Sequence, residues 1–441
     1  MLRRLDDNGA LAVAEIAVIG GGVAGLVSGY RLACEGHRVT ILEGTASLGG
    51  LAGTFIHEGA RLDKYYHVIL DSDAHLIPLL KELGLGSRLR WTETGMGIIH
   101  QDRLYPFNSA LDLLRFGAVP FPHRLRTGFG ALYITKLKRD ALDLDEVLAI
   151  PWLRSLFGDR VFETVWDPLL AAKFGERRGE VPAYWIWNTL NREKNGSQEV
   201  KGTVRGGYGA IVDTLAEAIR ARGGAIRLSA PVRLIESGDG GATITTDGGV
   251  ERYDAVVATP PLAVLQRLLS PALRAELTCG DVAFQGVSNV LLLMRRRLSP
   301  WYWTAVVDSG FPFQGIVETT HVVPLEDTGG HHLLYLMNYC DAGSEPYERS
   351  DAEQVEGAIA GLCRLYKGLR REDVEASYVF RAPFVEPVWT RGTLRRRPAP
   401  QIGQSRVFLC TTAQAYPMVT AWNTSVKLAT DTVNAMRGAL R

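Results

Sequence analysis

The sequence predicts an α/β fold in which one sheet domain is assembled from discontinuous stretches of chain, with a largely helical and a mixed α+β region inserted between them. Three observations lead there. A short apolar strand near residue 16 runs into a glycine cluster and then a helix. Strand patterns resume near residue 225, after an intervening insertion. A last apolar strand followed by an amphipathic helix ends the sequence. These segments assign residues 14–73, 201–262 and 400–441 to the discontinuous domain, 74–200 to the helical insertion and 263–399 to the mixed region.

Residues 16–19 are apolar and lead directly into Gly20, Gly21, Gly22, Val23, Ala24 and Gly25, after which residues 26–35 read as helix. This is GxGxxG placed between a strand and a helix. Gly20 permits the tight turn, Gly22 lets backbone approach a pyrophosphate, and Gly25 lets the helix lie close on the strand. The first helical amides then face negative phosphates. A second strand at 39–42 ends in Glu43, whose carboxylate can accept from a ribose hydroxyl. Together these features predict a Rossmann-like dinucleotide site.

Gly206, Gly207, Tyr208 and Gly209 introduce a helix with Ile211, Leu215 and Ile219 on one face, stopped by Gly223 and Gly224. Residues 225–229, 232–235, 242–246 and 254–259 then read as strands separated by glycine-containing turns. Near the end, 406–410 reads as a strand and 422–436 as a helix with Val426, Ala429 and Val433 in its buried stripe. In the mixed region, 289–294, 302–307, 315–317 and 333–337 read as strands and 351–366 as a covering helix.

Beyond the ribose acid come Gly49, Gly50, Leu51, Ala52 and Gly53. With the glycine entrance and Glu43, this diglycine segment resembles the flavoprotein group that contains amine oxidases, protoporphyrinogen oxidase, phytoene desaturases and UDP-galactopyranose mutase. The resemblance implies a discontinuous FAD-binding domain and noncovalent FAD, with Gly49 and Gly50 beside the cofactor. Leu51 stands where the familiar pattern often has Arg. The resemblance also brings Val232 to the adenine side through its backbone. It puts Thr411 and Thr412 at the closing junction, where relatives commonly carry Gly-Asp or Gly-Glu. Amides near Trp422 and Asn423 then face the electron-rich end of the isoalloxazine, with Asn423 open to a second reading as an ordinary N-cap. Residues 63–67 run beside the ring in such proteins. Tyr66 and His67, with Tyr416, are the catalytic candidates; His67 is either a donor to flavin or substrate, given an ordinary pKa near neutrality, or a structural histidine.

Composition narrows the function classes. Forty-nine basic side chains against 48 acidic ones leave a net charge of +1, which gives no reason to expect nucleic acid. Five scattered cysteines form no disulfide framework or zinc spacing and favour a reducing cytoplasm. The first ten residues do not read as a signal peptide, and no apolar run approaches a bilayer span. No metal is expected: His321, His331 and His332 lack a matching acidic set. Arg391, Arg395, Arg396 and Arg397 read either as a phosphate grip or as a charged connecting surface. A basic stretch from Arg124 to Arg139 reads as a solvated face, or as a contact for anionic lipid or a phosphate-bearing substrate. The aromatic segment from Trp152 to Trp187 reads mostly as packing, with a few rings free to line an apolar channel.

The expected activity is that of an FAD-dependent oxidoreductase that oxidises or desaturates a small organic substrate, apolar or phosphate-bearing, by hydride transfer to flavin N5. The single dinucleotide motif favours direct reduction by substrate. A redox-neutral reaction resembling that of UDP-galactopyranose mutase and a non-enzymatic flavin-binding protein stay open as alternatives. Peripheral membrane contact is compatible with this reading, and the oligomeric state is not fixed by it.

Overall fold

In the computed structural model, residues 13–192, 199–238, 240–280 and 282–440 are described. The chain begins with β1 (Glu15–Ile19), α1 (Val23–Cys34) and β2 (Arg38–Leu42), followed by the hairpin β3 (Thr54–His57) and β4 (Ala60–Asp63). Then come α2 (Leu76–Glu82), β5 (Met96–His100), β6 (Arg103–Pro106), α3 (Ala110–Arg115), α4 (Phe121–Leu132), α5 (Ala149–Phe157), α6 (Asp167–Phe174) and α7 (Ala183–Arg192). The chain returns through α8 (Gly207–Arg220), β7 (Ala225–Arg227), the meander β8 (Val232–Gly238), β9 (Gly241–Thr246) and β10 (Gly249–Tyr253), and β11 (Ala255–Ala258). The rest comprises β12 (Phe284–Met294), β13 (Trp303–Val306), β14 (Gly315–Glu318), β15 (His332–Cys340), α9 (Asp351–Leu365), β16 (Val374–Pro387), β17 (Val407–Leu409) and α10 (Trp422–Ala439).

A parallel five-stranded sheet in the order β7-β2-β1-β11-β17 draws its strands from three separate stretches of sequence. Parallel neighbours need crossovers that cover both faces, and the central strands accordingly read as apolar runs. Ile16, Ala17, Val18, Val256 and Val257 are completely buried. One face takes α1, α8 and α10, with Leu26, Ile211, Leu215, Val426 and Val433 in a common core. The other packs against the meander through Ile235, Ile244 and Tyr253.

A seven-stranded sheet runs β16-β12-β15-β14-β13-β5-β6. Two of its strands, β5 and β6, come from the stretch read from sequence as largely helical, and β5 pairs in parallel with β13. The two inserted regions therefore share one sheet. The helices α9 and α5–α7 cover different parts of it, the latter around an aromatic core of Trp152, Phe157, Phe162, Phe174, Trp185 and Trp389.

The long strand β16 went unread in the sequence because Pro383 interrupts it. It lies at the sheet edge, where a missing N–H costs no ladder bond. Its last residues carry Glu386 inward.

Candidate active site

The glycine entrance is made by two loops lying backbone on backbone. Gly22 and Gly49 form a parallel bridge, and Gly49 N donates to Gly21 O at 2.9 Å. A Cβ on Gly25 would lie 1.9 Å from Gly20 O, and one on Gly20, at φ +101°, would lie 2.4 Å from Thr259 Oγ1. Around Gly22, by contrast, the nearest atom a Cβ would meet is Gly49 O at 4.0 Å. The loop is tight where helix meets strand and open where a pyrophosphate would lie.

Gly22 is the N-cap of α1 and supplies no side-chain cap. The first intrahelical bond runs from Leu26 N to Gly22 O, so the amides of Val23, Ala24 and Gly25 point out of the helix without an intrahelical acceptor. The same holds at α10. Its N-cap is Ala421, without a side-chain cap, and Ser425 N makes the first bond, to Ala421 O. The start of α8 differs: the Tyr208 amide donates to the buried Asp63 carboxylate, whose pKa burial nonetheless pushes up to about 7.

Asn423 corrects the sequence reading of its side chain as the cap of its own helix. Its Oδ1 accepts from His75 N at 2.8 Å and Leu76 N at 3.0 Å, so it caps α2 rather than its own helix and is not free for the cofactor. What Asn423 retains for a flavin is its backbone amide.

Glu43 stands at the end of β2 and its carboxylate is held in the turn. Oε2 accepts from Gly21 N at 2.6 Å, and Oε1 from Thr45 N and Oγ1 at 2.8 Å each. A carboxylate has room for about four such bonds, which leaves capacity for a ribose hydroxyl. The segment before Val232 closes on the same end: Ala230 N donates to Glu43 O, and Gly44 abuts Pro231. The Val232 side chain is in the core, leaving its backbone for the adenine side. Thr411 and Thr412 follow β17, and Gln414 fixes that loop by accepting from Thr411 N at 2.9 Å.

His67 lies against Tyr208 and Trp422, with ring centroids 5.0 and 6.3 Å away. Its Nε2 is 3.1 Å from Leu51 O, which makes Nε2–H the donor and Nδ1 an acceptor. Burial holds its pKa down to about 4. The expectation of a near-neutral pKa and a free donor is therefore corrected: this imidazole is neutral at pH 7 and its proton is committed to the Leu51 carbonyl. Beside it, the buried Tyr208 hydroxyl and Trp422 Nε1 have no hydrogen-bond partner among the described residues. Open glycine backbone, two uncapped helix N-termini and these unpaired polar atoms fit a large polar cofactor.

Tyr66 points the other way. Its hydroxyl is 3.4 Å from that of Tyr339 on β15, and burial raises the Tyr66 phenol well above its ordinary range and the Tyr339 phenol in the same direction. Next to them Lys173 Nζ, on α6, lies 3.7 Å from Glu386 Oε2 and 5.3 and 5.4 Å from the rings of Tyr339 and Trp185. Glu386 also lies 3.4 Å from Thr420 N, two residues before α10. Trp185 Nε1 and Thr420 Oγ1, both buried, have no partner among the described residues. This polar group joins four elements and two loops, and of its members only Tyr66 was singled out as catalytic from sequence.

Tyr416 is separated from this group. It is fully buried, packed on Trp389 and Tyr184 at 5.3 and 5.8 Å, with its phenol pushed up by burial beside Asp145. That environment gives it a packing role and corrects its placement beside the ring. The arginine run also becomes structural: Arg397 donates to Tyr416 O and Arg396 to the Thr390 hydroxyl. The three histidines have separate hydrogen-bond partners, His321 with Ser299 O, His332 with Thr320 Oγ1 and His331 with Glu375. A different trio, His57, Glu58 and His331, brings one donor atom each within 4.8 Å. Both of its imidazoles engage neighbours through Nδ1, His57 with the Tyr378 hydroxyl.

A dinucleotide cradle in a sheet assembled from three stretches, with a polar pocket supplied by inserted regions, defines a dinucleotide-binding flavoprotein class. The chain belongs to the family described as flavin containing amine oxidoreductase, whose model matches residues 23–428, and its cofactor is FAD. It is 24% identical over 388 residues to a 15-cis-phytoene desaturase from an Oncidium hybrid cultivar, a match covering 80% of this chain and 64% of the relative. It is 23% identical over 328 residues to coproporphyrinogen III oxidase of Propionibacterium freudenreichii, covering 59% of each. Matches to these curated relatives thus span under two thirds of their length. Its fold is similar to that of reduced UDP-galactopyranose mutase, with a TM-score of 0.76 at 17% identity over 97% of this chain and 96% of that one.

Two outcomes follow. Glu43→Ala should free the Gly21 and Thr45 amides and lower FAD retention about fivefold to tenfold, read by equilibrium dialysis, with the released cofactor intact FAD; unchanged affinity in a folded variant contradicts the assignment. His67 has a folded pKa below its unfolded value, so its contribution to stability is complete above pH 6.5 and is lost as pH falls toward 4, on the order of 3 kcal/mol in full. His67→Asn should flatten the fall of Tm across that window; an unchanged slope would show that His67 does not titrate as described.

Proposed function

We propose that the protein oxidises or desaturates a small organic substrate whose polar end is held by Lys173, Trp185 and Thr420 while its reacting carbon faces the cofactor. Bound FAD supplies the acceptor for the two electrons removed as hydride. The observation that carries this reading is the set of donors at the pair formed by half-buried Lys173 and buried Glu386. Trp185 Nε1 and Thr420 Oγ1 have no partner among the described residues, and Lys173 has three donors against one carboxylate contact. Buried donors of this kind are costly unless a ligand acceptor meets them. They favour a substrate with an oxygen acceptor or an anionic group at one end.

The remaining work is orientation and exclusion of water. Desolvation keeps Tyr66 and Tyr339 protonated, so either hydroxyl can donate to substrate without becoming charged. Thr420 ties the Glu386 carboxylate to the residues that start α10, so the substrate contacts and the flavin-facing amides move as one unit. The aromatic rings of α6 and α7 provide an apolar wall for the body of the substrate. The likeness to 15-cis-phytoene desaturase and coproporphyrinogen III oxidase, named for a desaturation and an oxidation, supports net oxidation. The fold of the mutase supports the redox-neutral alternative.

Anaerobic mixing of oxidised protein with metabolite fractions separates these. A product two hydrogens lighter, with stoichiometric bleaching of the flavin, is expected. Turnover only by prereduced protein, with product and substrate of equal mass, would overturn the oxidative reading. Lys173→Met should slow bleaching by about tenfold to a hundredfold while FAD content is kept, because it removes a charged contact to substrate and none to the cofactor.

A further inference from the structure

The basic stretch read in the sequence lies on a surface whose polarity is inverted. Phe121, Leu125, Phe129 and Leu132 of α4 recur at spacings of four and three and share one face. That face points outward: Phe121 is 57% exposed, Phe129 72%, and Leu137, on the π-helical turn Tyr133–Leu137 that follows, 66%. Leu111 and Leu114 of α3 are exposed as well. Two arginines of the same helix are tied to backbone carbonyls instead. Arg124 donates to Leu114 O at 2.6 Å, and Arg126 to Ser155 O and Leu156 O at 2.7 and 2.9 Å. Gly130 lets α4 lie directly on Phe157, where a Cβ would come within 2.7 Å of the ring. A monomer in water has no use for a contiguous apolar face of this kind.

Charge selects the partner. From Arg115 to Arg139 the sequence contains six Lys or Arg and no Asp or Glu. Arg115, Lys136 and Arg139 are exposed around the apolar side chains. Aromatic and aliphatic residues ringed by cations match an anionic lipid surface, with the rings in the acyl boundary and the cations at the headgroups. A second copy of the same face would oppose like charges across the contact. No helix among the described residues is long and apolar enough to cross a membrane.

We infer that the face formed by α3, α4 and the turn Tyr133–Leu137 docks on an anionic bilayer surface without spanning it. The face is tied to the candidate active site through α7. Asn191 of that helix donates to Ile134 O and Trp187 to Lys138 O, on the docking side. Asn188, between them, donates to Pro417 O, three residues before Thr420. Docking therefore fixes the orientation of the substrate pocket relative to the lipid.

Flotation of the FAD-bound protein with phosphatidylcholine vesicles containing roughly a third phosphatidylglycerol tests this directly. The wild type should float with these vesicles, far less with pure phosphatidylcholine, and less as salt rises. Leu125→Ser with Phe129→Ser should abolish flotation. Lys136→Ser with Arg139→Ser, changes to exposed side chains, should weaken it on the order of 25-fold, about fivefold per charge. FAD content and anaerobic bleaching by soluble substrate should be unchanged in both, which separates this test from that of the proposed reaction. Wild-type protein that stays behind with anionic vesicles would overturn the inference. So would a wild-type dimer that Leu125→Ser with Phe129→Ser splits, since a second copy would then own the face.

Discussion

The structure depends on the approach of two backbones, Gly20–Gly25 and Gly49–Gly50, which touch through the Gly22–Gly49 bridge. A side chain at Gly25 would collide with the Gly20 carbonyl, one at Gly20 with the Thr259 hydroxyl, and one at Gly22 would fill the space in front of α1. That approach leaves the first amides of α1 unpaired and aimed outward, a state that protein structure tolerates only where water or a ligand accepts from them. The parallel sheet behind it exists to hold this geometry. Three distant stretches of sequence contribute strands to it, so the cradle at its front and α10 at its side are fixed relative to each other.

Legibility in the sequence followed the range of the interaction. Gly20, Gly22, Gly25 and Glu43 act within one strand-turn-helix-strand unit, and local pattern was enough to find them. The strands of the parallel sheet and the terminal helix emerged within a few residues of their observed bounds because each carries its own apolar period. Asn423 shows where locality fails. Its short side chain at a helix start reads as a cap for that helix, but its oxygen caps a helix nearly 350 residues earlier in the chain. Tyr416 failed for a related reason: it follows the closing loop in sequence, yet the loop turns its ring into the aromatic core.

The polar pocket was the least legible part. Tyr66, Lys173, Trp185, Tyr339, Glu386 and Thr420 lie in different regions, and none belongs to a motif. Trp185 was one of many aromatics, and Glu386 sat at the end of a strand concealed by Pro383. The signal available was negative: a lysine and a glutamate in otherwise apolar stretches. Only the meeting of α6, α7, β15 and β16 converts that into a pair with unmet donors beside it. The inserted regions thus supply substrate chemistry, and the local motifs supply cofactor chemistry.

The account stands on the claim that one FAD lies between the amides of α1 and those of α10, with the Lys173–Glu386 pocket at its reacting end. A crystal structure of the FAD-bound protein measures this. The pyrophosphate is expected within hydrogen-bonding reach of the Gly22–Gly25 backbone, and the pyrimidine edge of the isoalloxazine within reach of the amides of residues 422–424, one ring face toward Tyr66 and Lys173. An isoalloxazine bound away from α10, or on the far side of His67 from that pocket, would contradict it.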